Sequence, residues 1–341
     1  MRAASDVRAF AAQQTEVKDV VVFSAALAGF RGTMDKKVAK KLAQKPEVAF
    51  VQEDGRKTIG PPRPAAQLDA TWGLDRTDQR DLPLDGRYDP GATGQGVHAY
   101  VIDTGIDTAH AEFSGRIGEG FSALGDEPQD DEGHGTHVAG TIGGTEFGIA
   151  KAVILHPVRV LRNGSGSDSD VIRGVDWVTD HVRQHGWPAV ANMSLGGDVS
   201  PALDLALCRS IAGGVSYAVA AGNDSANACG SSPSRIRQAL SAGASDRNDR
   251  AASFTNTGEC VAVFAPGVDI VSARRFGGST TLSGTSMASP HVAGTAALCL
   301  ERHPGQDPAA IRACVVDNAS AGKLSGIGSG SPNRLVYTRD R

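Results

Sequence analysis

The 341-residue sequence predicts an α/β fold in which helices cover both faces of a parallel sheet, preceded by a small α+β module. Three observations carry this. From about residue 72 onward, short apolar runs alternate with stretches of helical period. Many of those runs end in glycine-rich turns, and 42 glycines suit tight turns better than a helical bundle. A Pro-rich stretch, Gly60-Pro-Pro-Arg-Pro64, separates this region from an N-terminal segment of different patterning.

Residues 5–14 read as a helix with Ser5 as its N-cap. Val20–Phe23 and Leu27–Phe30 read as strands, Asp35–Ala43 as a helix with Val38, Ala39 and Leu42 on one face, and Glu47–Val51 as a last strand. The expected organisation is a module over 1–57, a linker over 58–70 and a large domain over 71–341. In the large domain, Val97–Ile102 is a strand that runs into Asp103-Thr-Gly, and Ala152–Val160 is a strand followed by Asn163-Gly-Ser-Gly166. Val171–Val182 is a helix; Val190–Ser194, Val215–Ala220 and Val261–Phe264 are further strands. Open parallel sheets bind ligands beyond the carboxyl ends of their strands, and the polar motifs sit at those ends.

Charge is unevenly placed. Residues 1–64 carry 12 Lys+Arg against 7 Asp+Glu, a net of +5, whereas the rest carry 22 against 31, a net of −9. No aromatic stacking platform accompanies the basic residues, so attraction between the two parts is favoured over nucleic-acid binding. No apolar run reaches the roughly 20 residues of a membrane span. Met1–Phe10 has no apolar core of a secretory signal, and the five cysteines are an odd number.

Three segments carry chemistry. Ala99-Tyr-Val-Ile-Asp103-Thr-Gly105 puts a carboxylate at a strand end. Gly133-His134-Gly-Thr-His-Val-Ala-Gly140 puts an imidazole at the start of a helix. Ser283-Gly-Thr-Ser286-Met-Ala-Ser-Pro-His-Val-Ala-Gly294 puts a hydroxyl at the start of another, where Pro290 is tolerated because early helix donors lack partners. A serine hydroxyl needs an adjacent base, and the base needs an acceptor to fix its tautomer. A helix N-terminus at Ser286 also offers its N–H to a developing oxyanion. Each segment alone has a plain reading as a turn or loop. His134 and His137 also admit a structural pair or half a zinc site, although no His-Glu-x-x-His pattern supports zinc.

Together these residues resemble the subtilase family, on the branch of proteinase K and aqualysin. The order Asp, His, Ser is the one found in subtilisins. The resemblance runs from Trp72 to Tyr337 and includes Trp72-Gly-Leu-Asp-Arg-Thr-Asp-Gln-Arg-Asp-Leu-Pro-Leu84, Gly174-Val-Asp-Trp-Val178, Asn192-Met-Ser-Leu-Gly-Gly197 and Ala220-Ala-Gly-Asn223. It implies a subtilisin-like fold and a serine endopeptidase with Asp103, His134 and Ser286 as its triad. His137 then becomes a packed residue. It also implies Asn223 as the side-chain oxyanion donor. Gly164, Ser165 and Gly166 on one side and Ser194, Leu195, Gly196 and Gly197 on the other, with Ala220 and Gly222, would hold an extended peptide by main-chain bonds. Broad specificity with an apolar or aromatic residue before the scissile bond is expected, on protein or peptide substrates and as a monomer. Residues 10–57 resemble the inhibitor propeptides of the family, with Phe50-Val-Gln-Glu-Asp54 as closing strand, so self-cleavage is expected in the linker.

The family's ferredoxin-like propeptide has a further strand ahead of the first helix. Its absence, with that of a signal peptide, leads to the expectation of a secreted protein whose translation starts upstream of Met1. Cys229 and Cys260 occupy disulfide positions of the aqualysin branch; Cys299 and Cys314 are left as a further pair, and Cys208 as a packed hydrophobe. No cofactor is expected for catalysis. A structural calcium ion is expected at Asp75, Asp78, Gln79 and Asp85, but not at the family's stronger site, where Ala262 replaces the carboxylate and Arg237 stands beside it. Two rivals remain. One is a silent homologue that binds peptides, which labelling by a fluorophosphonate would separate. The other is a sedolisin-type carboxyl peptidase, which would carry Glu at position 134 and Asp at 223.

Overall fold

The computed structural model describes residues 4–23, 29–51 and 67–339, and the chain divides into two units, Met1–Pro62 and Arg63–Arg341. In the first unit, α1 (Ala4–Ala12), β1 (Lys18–Phe23), β2 (Gly29–Thr33) and α2 (Lys36–Ala43) follow one another. Asp35 starts α2 by accepting the N–H groups of Lys37 and Val38. The face predicted for α2 is the buried one: Val38 and Leu42 pack with Val17, Phe10, Phe30 and Met34. Two expectations fail here. Ser5, expected at the N-cap, is instead the second residue of α1. Glu47–Val51 forms no strand, and Phe50 is 63% exposed. β1 and β2 pair only with each other among the described residues, and an isolated extended segment gains no ladder bonds. Most of the predicted linker lies outside the described residues.

The second unit runs β3 (Gln67–Leu68), α3 (Trp72–Thr77), β4 (Arg87–Tyr88), β5 (His98–Asp103), β6 (Phe121–Ser122), α4 (His134–Gly143), β7 (Ile154–Arg159), α5 (Asp168–His185) and β8 (Ala189–Met193). It continues with α6 (Pro201–Ala212), β9 (Ser216–Ala220), β10 (Leu240–Ser245), β11 (Val263–Pro266), β12 (Ile270–Ala273), β13 (Ser279–Leu282), α7 (Thr285–Arg302), α8 (Pro308–Asn318), β14 (Ser320–Ala321) and β15 (Arg334–Leu335). A nine-stranded sheet has the order β14-β15-β11-β10-β9-β8-β5-β7-β6, parallel except at β14 and β15. Residues 67–68 pair with β4, so the large unit begins ahead of the expected boundary at 71.

Alternation along β5 explains the two layers. Ala99 and Val101 pack with Val138 and Ile142 of α4 and Val292 and Ala296 of α7, while Tyr100 and Ile102 pack with Val175 of α5 and Leu207 of α6. After β5 the chain builds β7 on one side and then β8 to β11 on the other. The reversal opens a crevice at the carboxyl ends of β5 and β8. Asp103 ends β5 there.

Toward the other end of the sheet lies an aromatic cluster the sequence reading passed over. His98 stacks on Trp187 with ring centroids 3.6 Å apart, and Trp177 stacks on His181 at 4.5 Å. The carbonyl of Glu119 can only accept, so His156 Nδ1–H donates to it at 2.7 Å. His156 Nε2 is therefore an acceptor, and His98 Nδ1–H donates to it at 2.8 Å. Trp187 Nε1–H donates to Tyr100 Oη, which in turn meets His181 Nδ1 at 2.9 Å. Among the described residues no helix is long and apolar enough to cross a membrane.

Candidate active site

Asp103 is fully buried, and its Oδ1 accepts His134 Nδ1–H at 2.7 Å and the Thr104 N–H at 2.8 Å. A carboxylate only accepts, so Nδ1 carries a proton, and in the neutral ring Nε2 of His134 is the base. Burial opposes the imidazolium, but the charge and hydrogen bond of Asp103, with Glu132 and Asp130 behind, hold the His134 pKa above the ordinary imidazole range. His137 faces elsewhere: its Nε2 meets the Ile270 carbonyl at 3.0 Å, and burial pushes its pKa down to about 4. It is the packed residue expected.

The turn before His134 is built by a residue given no role from sequence. Gly133 occupies the N-cap of α4 with φ of 110° and no side chain to cap with. Asp130 does so from outside, accepting the N–H groups of Glu132, Gly133 and Thr136 and the hydroxyls of Thr104 and Thr136. These bonds hold its carboxyl below the usual range despite burial. Thr104 accepts in turn from the Gly135 N–H, which ties the end of β5 to the start of α4.

Ser286 is the second residue of α7. Its hydroxyl donates to the Ser194 carbonyl at 3.1 Å, not to His134. A buried chain fixes this junction: Ser289 donates to Asn192, Asn192 to Ser194 Oγ, and Ser194 Oγ to the Ser286 carbonyl. Asn223 Oδ1 accepts both the N–H and the hydroxyl of Thr285 at 2.9 Å, which turns Nδ2 the other way. Asn223 Nδ2 and Ser286 N each lie 3.6 Å from the point that a Cβ on Gly284 would occupy. Two donors, one of them the main-chain N–H of Ser286 itself, thus lie within reach of one point at Gly284.

Every expected substrate residue lines one of two adjoining cavities. The larger, about 600 Å³, is lined by Ala220, Gly222, Asn223 and Ser286; the smaller, about 340 Å³, by His134, Gly164, Ser165 and Gly166. Ser194, Leu195, Gly196 and Gly197 line both. Ser165 and Gly197 already spend their N–H groups on Arg162 and Ser232. Open main-chain donors are therefore left to Gly164, Gly166, Leu195 and Gly196 among the described residues, a distinction invisible in sequence.

Both expected disulfides form, Cys229–Cys260 and Cys299–Cys314, and Cys208 is free and half-buried on α6. At the expected calcium site, Asp75 accepts the N–H groups of Asp85 and Gly86, and Asp78 accepts the Asp89 N–H and meets Arg339 at 3.1 Å. Gln79 donates to the carbonyls of Asp81 and Pro83. Burial first, then the neighbouring carboxylates Asp75 and Asp85, push Asp78 up to about 6 although the Asp89 N–H and Arg339 pull it down. No three acidic, His or Cys side chains converge as a metal site among the described residues, so further ligands would come from carbonyls and water. Near the family's stronger site, Ala262 is buried and Arg237 pairs with Glu259.

The description "Subtilase family" matches residues 94–335. The chain belongs to the subtilase family. This subtilase is 51% identical over 323 residues to "Extracellular serine proteinase" of Thermus sp. (strain Rt41A), covering 93% of this chain and 77% of that one. It is 47% identical over 322 residues to "Alkaline serine exoprotease A" of Vibrio alginolyticus, covering 93% and 60%. A crystal structure of a cold adapted subtilisin-like serine proteinase superposes with a TM-score of 0.76 at 47% identity, over 80% of this chain and 100% of that one. As a subtilase the protein is a serine endopeptidase, and its fold is the subtilisin-like one expected.

Proposed function

We propose that this subtilase is a secreted endopeptidase of broad specificity that works through an acyl-enzyme on Ser286, with Asp103 and His134 as the other members of the triad. The observations that support the reading are the Asp103–His134 hydrogen bond and the two donors, Ser286 N and Asn223 Nδ2, that each lie 3.6 Å from one point at Gly284. Rotation of the Ser286 hydroxyl away from Ser194 presents it to Nε2 of His134. Oγ attacks the peptide carbonyl carbon as its proton passes to Nε2, and the oxyanion takes the Ser286 N–H and Asn223 Nδ2. The resulting imidazolium is supported by Asp103 and protonates the leaving amine. Water then repeats the sequence and frees Ser286. An extended substrate lies between Gly164–Gly166 and Leu195–Gly196, and the larger cavity takes an apolar or aromatic side chain before the scissile bond.

In the same reading, residues 1–57 are an inhibitory propeptide removed by self-cleavage between 58 and 70. One calcium ion bound through Asp75, Asp78, Gln79 and Asp85 stabilises the large domain. A serine-directed fluorophosphonate separates the enzyme from a silent peptide binder. Wild type should label and cut itself in the linker. Ser286→Ala should stay folded, unlabelled and uncut, with kcat lower by about 10⁶, the scale known for the subtilisin nucleophile. Self-cleavage by Ser286→Ala would overturn the assignment.

A further inference from the structure

Phe276 is the most exposed large apolar side chain among the described residues, 81% accessible, at the tip of the β12–β13 hairpin. Its φ is 69°, a left-handed conformation that is a true outlier for a bulky side chain. A glycine there would be easier for the backbone and would hide no less apolar surface. Strain of this kind persists where the surroundings impose it, and it concentrates at functional sites.

The surroundings do impose it. The Phe276 N–H donates to Asp107 Oδ2 at 2.7 Å, and Arg275 Nη1 donates to the Asp131 carbonyl at 2.6 Å. His110 Nε2 donates to the Gly278 carbonyl at 3.0 Å, and a Cβ on Gly133 would stand 3.7 Å from Arg275 Cβ. Asp107 and His110 follow Asp103 along the chain; Asp131 and Gly133 precede His134. The tip is therefore clamped to the two segments that hold the Asp–His pair. The Arg275 guanidinium sits 4.2 Å from the Phe276 ring, which props one face and leaves the remainder to solvent. No residue from 274 to 278 lines either cavity assigned to the acyl half of the substrate.

We propose that Phe276 is a specificity-determining residue that receives an apolar side chain from the leaving half of the substrate, beyond the scissile bond. The proposal rests on the serine-peptidase reading above. An aromatic ring on a tip clamped to the segments that carry the Asp–His pair, outside the acyl cavities, meets the part of the chain those cavities do not hold. Its position is set before binding, so contact carries little ordering cost.

The test uses mature enzyme and three substrates with one common acyl half. Two are internally quenched peptides whose leaving halves carry Leu or Gly; the third is the p-nitroanilide. Wild type should favour the Leu peptide over the Gly peptide several-fold in kcat/KM. Phe276→Ser should bring that ratio close to one. Phe276→Gly should do the same with a melting temperature equal to or above wild type, which sets a folding defect aside. A ratio unchanged in both variants, with normal wild-type activity, overturns this inference alone. So does an equal loss on the p-nitroanilide and both peptides, because it would make the tip a support for His134. Wild-type inactivity on all three substrates overturns the parent reading as well.

Discussion

An amide can present either end to a cleft unless something holds one end, and Thr285 holds Asn223. Two bonds to Oδ1, from the Thr285 N–H and hydroxyl, leave Nδ2 as the free end, which lies near the point at Gly284 that the Ser286 N–H also approaches. Thr285 Oγ1 also accepts the Gly222 N–H, so one buried hydroxyl sets both the loop after β9 and the donor it carries. Asn223→Ala should lower kcat by about 10²–10³ with KM little changed, the range known for the equivalent subtilisin amide. Steady-state kinetics on a peptide substrate measures both; a rise in KM at constant kcat would mean that Asn223 binds ground state instead. The proposed catalytic residues were legible because each sits in a distinctive short motif. Thr104, Asp130 and Thr285 stood inside or beside those motifs with no role assigned, since a positioning residue is recognised by its bonds and not by its type.

At the scale of elements, β5, β7 and β9 could be read from sequence because branched or aromatic apolar residues mark them. β10 could not: Leu240-Ser-Ala-Gly-Ala-Ser245 carries almost no apolar period. Its burial comes from elsewhere, with α7 packed along it and the Phe264 ring so close to Gly243 that a Cβ there would stand 2.6 Å away. Small residues in a strand are a packing solution, which only the neighbours reveal. The opposite error occurred at Glu47–Val51, where a β-like pattern lacked a partner strand. The loop between α3 and β4 is the element on which the calcium proposal stands. Chelation should lower the melting temperature of the mature enzyme, and Asp78→Ala should abolish that response. A chelator effect undiminished in Asp78→Ala would place the ion elsewhere.

Taken as a whole, the large unit has two ends of different chemistry. One carries the hydrolytic crevice; the other carries His98, His156, His181 and His185. Burial, more than any neighbouring charge, pushes His98 and His156 down to about 4 and lowers His181 as well. A histidine depressed in the folded state stays neutral there while the unfolded chain takes a proton below about 6.5. Stability should therefore fall as pH drops from about 6.5 toward 4, and level off below. Glu119, Asp180 and Asp176 face this cluster and temper the fall, while Arg173 adds to it. Calorimetry across that range measures the slope. His98→Phe should melt lower at neutral pH, because His156 Nε2 loses its donor, yet lose less on acidification. An unchanged slope in that variant would mean that other groups set acid stability. The same stacking makes the molecule its own optical gauge. Trp177 and Trp187 each lie against a histidine ring, and a protonated imidazole quenches indole emission on contact, so fluorescence should dim as the cluster takes up charge, reporting the far end of the sheet while the crevice is occupied with substrate.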